Sequence, residues 1–248
     1  MFTDDQLLRY SRQILLPEFD VAGQEALARA RVLMVGAGGL GCPAGLYLAG
    51  AGIGRLEIVD DDVVERSNLH RQVAFREADL GQSKAEALAA QLRALNEEVT
   101  VRAHVRRAES DWLAQRLGEQ DLVLDCTDNF ATRDAVNRAC RKAGVPLVTG
   151  AAIRLEGQLA VFDFREQESP CYACLYGQGA AGDTLCSQSG ILGPVVGTVG
   201  TLQALLAIRL LCGAPVAGWL HLFDGATMEW RRLRFRRDPD CPVCGAGA

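Results

Sequence analysis

The sequence has no surplus of positive charge. Its 26 Lys and Arg are outnumbered by 31 Asp and Glu, for a net charge of −5 and a pI of about 5.3. Polyanions and anionic lipid surfaces are held by basic patches, so no nucleic acid and no membrane is expected as a partner. An acidic chain that handles phosphate must do so with a few placed Arg and Lys side chains. The opening residues, MFTDDQLLRYSRQ, lack the basic and apolar regions of a secretory signal. Internal repeats and a disordered tail are absent too. The 9 cysteines are an odd number and lie largely in apolar runs. They fit thiols in a reducing compartment, and a cytoplasmic location is expected. Residues 191–208 are about as long and apolar as a membrane span. Gly193, Pro194, Gly197, Gly200 and Gln203 interrupt that stretch and Arg209 follows it, which fits a buried loop and helix instead.

What is present is a chain of 248 residues, 49% hydrophobic, with mean hydropathy near zero. Residues 3–16 read as a helix with Thr3 as its N-cap, and 24–30 as a second short helix. A buried strand at 31–35, a Gly-rich turn, a helix at 42–51 and a strand at 55–59 ending at Asp60 make a βαβ unit. The alternation continues with a helix at 82–95, a strand at 99–104, a helix at 110–117 capped by Ser110, a strand at 122–126, a helix at 133–142 and a strand at 146–149. After about residue 150 the pattern changes. Residues 157–164 alternate as an antiparallel strand does, 169–193 read as loop, 195–211 as one apolar helix, and 220–223 and 229–236 as strands. The expected fold is α/β, a Rossmann-like doubly wound sheet with a parallel N-terminal half and antiparallel C-terminal strands. It is expected as a single domain, 1–248, of N-terminal helices (1–30) and two halves (31–150 and 151–248).

Gly36, Gly38, Gly39 and Gly41 form a G-x-G-x-x-G turn between strand and helix. Such glycines permit a tight turn, and the helix N-terminus beyond it offers bare N–H groups to an anion. Asp60, at the end of the next strand, is placed for ribose hydroxyls. Alone, these features would serve an NAD(P)-dependent oxidoreductase as well as an ATP enzyme. The residues after Asp60 argue against NAD. Arg66 to Gln72 reads Arg-Ser-Asn-Leu-His-Arg-Gln, a dense cluster of donors. Lys84 then puts a cation in the first turn of a helix, which the helix dipole disfavours unless an anion lies there. Asp125 and Asp128, with Thr127 and Asn129, end a strand where carboxylates near phosphates suit Mg²⁺. The sum describes a site for ATP and Mg²⁺.

Two Cys-x-x-Cys pairs, Cys171/Cys174 and Cys241/Cys244, stand far apart. Together they supply four thiolates, the number a closed tetrahedral Zn²⁺ site takes, and such a site has no open position for substrate. The expected role is structural: a zinc-bound tail pinned to a distant loop. Cys42, Cys126, Cys140 and Cys212 sit among apolar neighbours and read as core thiols. Arg231, Arg232, Arg234, Arg236 and Arg237 surround Leu233 and Phe235. Strand alternation turns Leu233 and Phe235 inward and Arg232, Arg234 and Arg236 outward, as a solvated face or a contact for an acidic partner.

Taken in order, Gly36–Gly41, Asp60 with Asp62, Ser67–Gln72, Gly81–Lys84, Asp125–Asn129 and the paired cysteines resemble the MoeB/ThiF/HesA family, relatives of the ubiquitin-activating enzymes. The similarity runs from Leu8 to Cys244. It implies adenylation of the C-terminal glycine of a small ubiquitin-like sulfur carrier ending in Gly-Gly, preparing it to take up sulfur as a thiocarboxylate. A MoaD-like carrier of molybdopterin cofactor synthesis is the favoured substrate, with the thiamine-pathway carrier ThiS or another sulfur carrier as the alternative. Carried over by position, the Gly-rich loop contacts nucleotide, Asp60 holds ribose, Ser67, Asn68, Leu69, His70, Arg71 and Lys84 surround the phosphates, and Asp128 holds Mg²⁺. Asp62, Thr127 and Asn129 stand beside them. The resemblance also implies a homodimer in which Arg12 reaches the partner's ATP site and the apolar helix helps to bury the interface. Cys186 aligns with a cysteine that, in ThiF-like members, becomes linked to the carrier. In these terms 31–150 is the nucleotide-binding half and 151–248 the carrier-binding and zinc half. His70 departs from the Gln expected at the variable position of Ser-Asn-Leu-x-Arg. The chain stops after the second cysteine pair, without the sulfurtransferase domain some relatives append. Sulfur is then expected from a separate donor such as a cysteine desulfurase or rhodanese.

Overall fold

Short runs of Val, Leu, Ile and Met build the centre of the sheet because both faces of it are covered. In the computed structural model, which describes residues 2–177 and 189–245, β1 (Arg31–Val35), β2 (Arg55–Asp60), β3 (Thr100–Val105), β4 (Leu122–Asp125) and β5 (Leu147–Ile153) are parallel. The strands β6 (Glu156–Phe162), β7 (Trp219–Asp224) and β8 (Glu229–Arg234) continue the sheet antiparallel. The order is β3-β2-β1-β4-β5-β6-β7-β8. Strand order reverses between β1 and β4, and the crevice beyond their C-terminal ends is where doubly wound sheets bind ligands.

Alternate side chains of each strand go to opposite layers. Val32, Met34, Leu56, Ile58, Leu124 and Val161 pack with Leu48 of α3 (Gly41–Gly50), Leu88 and Leu92 of α4 (Lys84–Leu95) and Val199 and Ala207 of a long helix at Gly193–Leu211. Leu33, Val35, Val123, Leu147 and Phe162 face the other way, toward Trp112 and Leu113 of α5 (Ser110–Arg116) and Val136 and Cys140 of α6 (Phe130–Ala143). Before the sheet come α1 (Asp4–Ile14), with a capping box of Thr3 and Gln6, and α2 (Asp20–Arg29). A short α7 (Tyr172–Tyr176) precedes the long helix, which is α8.

The expected elements are present, with local differences. Ser110 is the first residue of α5, not its cap; Glu109 precedes the helix without a side-chain bond. The helix α6 starts at Phe130, earlier than expected, because the Asn129 side chain accepts from the Thr132 N–H at 2.9 Å. The strand β5 runs on to Ile153 because its second half pairs with β6, from Thr149↔Ala160 to Ile153↔Glu156. Gly150, Ala151 and Ala152 in that half carry no side-chain pattern to announce a strand. On β8 the expected orientation is corrected. Leu233 is 52% exposed, since β8 is the last strand and every one of its residues is exposed. Phe235 lies beyond the strand and meets Phe162 at 5.5 Å between ring centroids. Arg232 and Arg234 are not merely solvated; their guanidinium groups lie 4.0 and 5.0 Å from the centre of the Trp219 ring.

The helix α8 is long and apolar enough to cross a membrane by length and composition, and half of that stretch is buried in the protein. Val195, Val199, Ala204 and Leu206 lie on its buried side, and Leu205 stands exposed on the other. Beside Leu205, an apolar hollow of about 1320 Å³ is lined by Pro43, Tyr47, Leu95, Thr201, Leu202 and Trp230, among others. The core thiols are as expected: Cys42, Cys126 and Cys140 are buried and Cys212 partly so. Burial pushes the Cys42 thiol up to about 12 and raises Cys126 and Cys140, which leaves them protonated and unreactive.

Candidate functional site

The loop after β1 comes so close to other backbone that two of its positions require glycine. Gly36 has φ +96°, and a Cβ there would lie 2.8 Å from the Cys126 carbonyl oxygen. A Cβ on Gly41 would lie 2.1 Å from the Gly36 carbonyl oxygen. Gly41 therefore seats α3 on the loop and is not in the lining of the crevice. The Asp60 carboxylate braces the same loop, accepting from the Ala37 N–H at 2.7 Å and the Asp62 N–H at 2.8 Å. Burial raises its carboxyl above the usual range, and those two N–H groups and Lys84 pull the other way.

The cationic side of the crevice is formed by residues 66–72 and the start of α4. Arg71 donates from Nη1 to the Ser67 carbonyl oxygen at 2.8 Å and lies 2.9 Å from His70 Nε2. Asn68 is buried and its Oδ1 accepts from the Glu65 N–H at 3.1 Å. Lys84 is buried at the start of α4, and its Nζ donates to Asp62 Oδ2 at 2.7 Å. Asp62 is thus the anion that the cation in the first helical turn calls for. Asp61 pairs with Arg107 at 3.1 Å. Each carboxylate of the 60–62 cluster is therefore already engaged.

At the end of β4 the two aspartates part company. Asp125 is fully buried and accepts from the Thr127 N–H at 3.0 Å, Thr127 Oγ1 at 2.6 Å and Thr149 Oγ1 at 3.0 Å. Gln203 of α8 donates to the Asp125 carbonyl oxygen at 2.8 Å. Arg133, also buried, donates to the carbonyl oxygens of Thr127 and Gly150. These bonds fix the loop that presents Asp128. Asp128 itself is exposed and has no hydrogen bond or ion pair among the described residues. Asn129 is committed to capping α6.

One cavity of about 1220 Å³ gathers these groups. Gly36, Gly38, Gly39, Asp60, Asp62, Asn68, His70, Arg71, Lys84, Thr127, Asp128 and Asn129 all line it. Ser67, Leu69 and Gly41 stand behind the lining; Ser67 Oγ donates to Glu65 and Leu69 packs on the core. Arg12, exposed on α1, is not brought to the cavity of its own chain. Cys186 lies outside the described residues. The cavity also takes in residues not singled out as ligands in the sequence: Gln72, Arg133, Phe130, Tyr172 and Tyr176. Of these Gln72 and Tyr172 stood within motifs, Tyr172 between the cysteines of the first pair; Arg133, Phe130 and Tyr176 are brought in by α6 and α7, which no local spacing announces.

The four cysteines of the two pairs meet on the α6 side of the sheet. Their sulfurs lie 3.9 Å (Cys171–Cys174), 3.6 Å (Cys171–Cys241) and 3.3 Å (Cys174–Cys244) apart, all four within 4.8 Å of one another. The edge of a tetrahedron with 2.3 Å metal–sulfur bonds is about 3.8 Å. The separations are far from disulfide length. Burial pushes the Cys171 thiol up to about 11, against the pull of the Cys174 N–H. A divalent cation would reverse that by taking the place of the protons. Asn137 accepts from the Tyr172 N–H at 2.9 Å, while its buried Nδ2 has no partner. An amide donor left over beside thiols suits thiolate sulfur, and the donor set therefore fits zinc.

Residues 10–243 match the ThiF family. The chain is 45% identical over 248 residues to the molybdopterin-synthase adenylyltransferase of Salmonella typhimurium, covering 98% of each. It is 45% identical over 243 residues to the sulfur carrier protein ThiS adenylyltransferase of Escherichia coli, covering 98% of this chain and 96% of that one. Among solved structures it is similar to E. coli MccB with ATP, at a TM-score of 0.84 and 25% identity over 96% of this chain and 73% of that one.

The two aspartates at the end of β4 should separate cleanly in urea unfolding. Asp125→Ala orphans three buried donors and is expected to cost roughly 3 kcal/mol or more. Asp128→Ala is expected to stay within about 0.5 kcal/mol of the parent.

Proposed function

The chain belongs to the ThiF family, and on that footing we propose that it is an enzyme that transfers AMP from ATP to the C-terminal glycine of a small ubiquitin-like sulfur-carrier protein. The carrying observation is the cavity at the switch point. It unites a glycine loop and helix N-terminus, a ribose-placed acid, the cations Arg71 and Lys84 and the unengaged carboxylate of Asp128. Its volume of about 1220 Å³ exceeds the roughly 300–1,000 Å³ of a small-molecule site. Beyond the nucleotide corner it continues past Gly157, Gln158, Phe223 and Asp224, which leaves room for a peptide tail.

In the proposed reaction a carboxylate oxygen of the tail bonds to the α-phosphorus, the bond from that phosphorus to the bridging oxygen breaks, and pyrophosphate leaves. The attacking carboxylate is already ionised, so no general base is needed. The work left to the protein is alignment and charge neutralisation. The loop of Gly36, Gly38 and Gly39 would cradle phosphate, Asp60 would take the ribose, and Asn68, Arg71 and Lys84 would hold the phosphate chain. Asp128, an unengaged carboxylate on the loop after β4, would hold Mg²⁺, an ion that usually takes one or two carboxylates plus phosphate oxygens. Bound Mg²⁺ would supply neutralising charge. Cys171, Cys174, Cys241 and Cys244 would hold one structural Zn²⁺. Arg231, at the β8 end of the cavity, would meet an acidic carrier.

A carrier of molybdopterin synthesis is the preferred substrate, with the thiamine-pathway carrier as the alternative; identity to the two kinds of relative is the same. We place the enzyme in the cytoplasm, with sulfur supplied by a separate protein. The apolar hollow beside α8 supports a homodimer, and Arg12, free of ion pairs among the described residues, would then serve the partner's cavity.

Exchange of pyrophosphate into ATP should depend on a carrier ending in Gly-Gly and fall at least a hundredfold in Asp128→Ala; exchange at full rate without that tail overturns the reading. Arg12→Ala and Asp128→Ala chains, each inactive alone, should recover activity when mixed, because one site of the mixed dimer is then whole. Failure to recover places Arg12 in its own chain's site. Metal analysis should find one zinc per chain. Chelation should loosen residues 235–245 in hydrogen exchange before the sheet, and one-step melting of the whole chain would contradict that order.

A further inference from the structure

Gln72 is the last residue of the 66–72 segment and is 3% exposed. Its backbone is locked, the N–H donating to the Asn68 carbonyl oxygen at 3.0 Å and the carbonyl accepting from the Phe75 N–H at 3.1 Å. The side chain is not. Its Oε1 is buried with no partner, and neither end of the carboxamide is hydrogen-bonded among the described residues. A buried amide left so costs stability, and a hydrocarbon of the same shape would fill the space more favourably. The Nε2 end lies against the glycine loop, 3.5 Å from where a Gly38 Cβ would stand, and Gln72 lines the cavity. The other donors of the cavity include the charged Arg71 and Lys84 and the neutral amide of Asn68. A carboxamide here adds a directed, uncharged N–H pair to a place built for an anion.

We propose that Gln72 is a further substrate-contacting residue, its Nε2 donating to a non-bridging phosphate oxygen of ATP held at Gly38. This role rests on the cavity being an ATP site. Lys84 acts as a point charge and Arg71 is already held on the Ser67 carbonyl; an amide whose backbone is pinned at both ends adds a donor fixed on one oxygen. On binding, the Nε2 donor gains the acceptor it lacks among the described residues; Oε1, itself an acceptor, gains nothing from a phosphate oxygen.

The experiment is titration of the whole protein with Mg-ATP, without carrier, following melting temperature and nucleotide affinity for wild type, Gln72→Met and Gln72→Asn. Gln72→Met keeps the shape and removes the donor; Gln72→Asn keeps the amide and withdraws it. Both are expected to weaken ATP binding about tenfold, the effect of one hydrogen bond to a charged acceptor. The ATP-induced rise in melting temperature should shrink accordingly. Without ATP, Gln72→Met should melt at or above the wild-type temperature. A variant that melts lower without ATP but keeps the wild-type affinity marks the amide as structural and overturns the proposal, as does wild-type affinity in Gln72→Asn should Gln72→Met fail to fold. ATP binding by wild type without carrier-dependent exchange sinks the adenylyltransferase reading and leaves the Gln72 result standing. No ATP binding by wild type overturns both.

Discussion

The crevice exists because two stretches of backbone touch where side chains would ordinarily keep them apart. Gly36 meets the Cys126 carbonyl and Gly41 meets the Gly36 carbonyl. Those approaches draw the ends of β1 and β4 together and aim the start of α3 at the gap between them. A methyl group at either place would push the helix away from the sheet, and the N–H groups at its start would lose their direction. Asp60 then clamps the loop from one side, and the bonds of Asp125, Thr149, Gln203 and Arg133 hold the other. The exposed groups of the site are thereby carried by backbone that cannot drift.

The parallel half was legible in the sequence because its strands are covered on both faces and read as unbroken apolar runs between turn residues. The glycine loop, Asp60, Arg71, Lys84 and both cysteine pairs were legible because their chemistry is local or their spacing is. Other parts were not. Asp125 and Asp128 stand three residues apart in a run of polar side chains, and nothing in that run says that one is buried and spoken for while the other is open. The tertiary partners decide it, and Thr149 and Gln203 lie on distant elements. For Leu233, alternation assigns a face of the strand but cannot say whether anything covers that face at the edge of a sheet.

The helix α8 joins the two halves in a way its sequence conceals. Its apolar residues serve two different surfaces, the core under the sheet and the hollow beside Leu205. From its buried side Gln203 reaches the carbonyl of Asp125. The cysteine cluster lies on the opposite layer, where Tyr172 of α7 is bonded to Asn137 of α6. The C-terminal segment is thus tied to α6, whose first turn begins at the loop bearing Asp128. The loop is therefore supported through both layers of helices, one on each side of the sheet.

The Lys84–Asp62 pair has a thermodynamic consequence. The lysine amine sits buried with 8% of its side chain exposed, while its partner is 67% exposed. Ordering a long lysine side chain costs up to about 2 kcal/mol of rotamer entropy. Because Asp62 already holds the amine, that loss falls on folding and not on the arrival of a ligand. An incoming phosphate would trade places with a carboxylate that is largely in water and can return to it with little penalty. The exchange substitutes one anion for another around a cation that does not move. It gives up part of the raw attraction a bare lysine would offer, and in return the charge is standing in position before the ligand arrives.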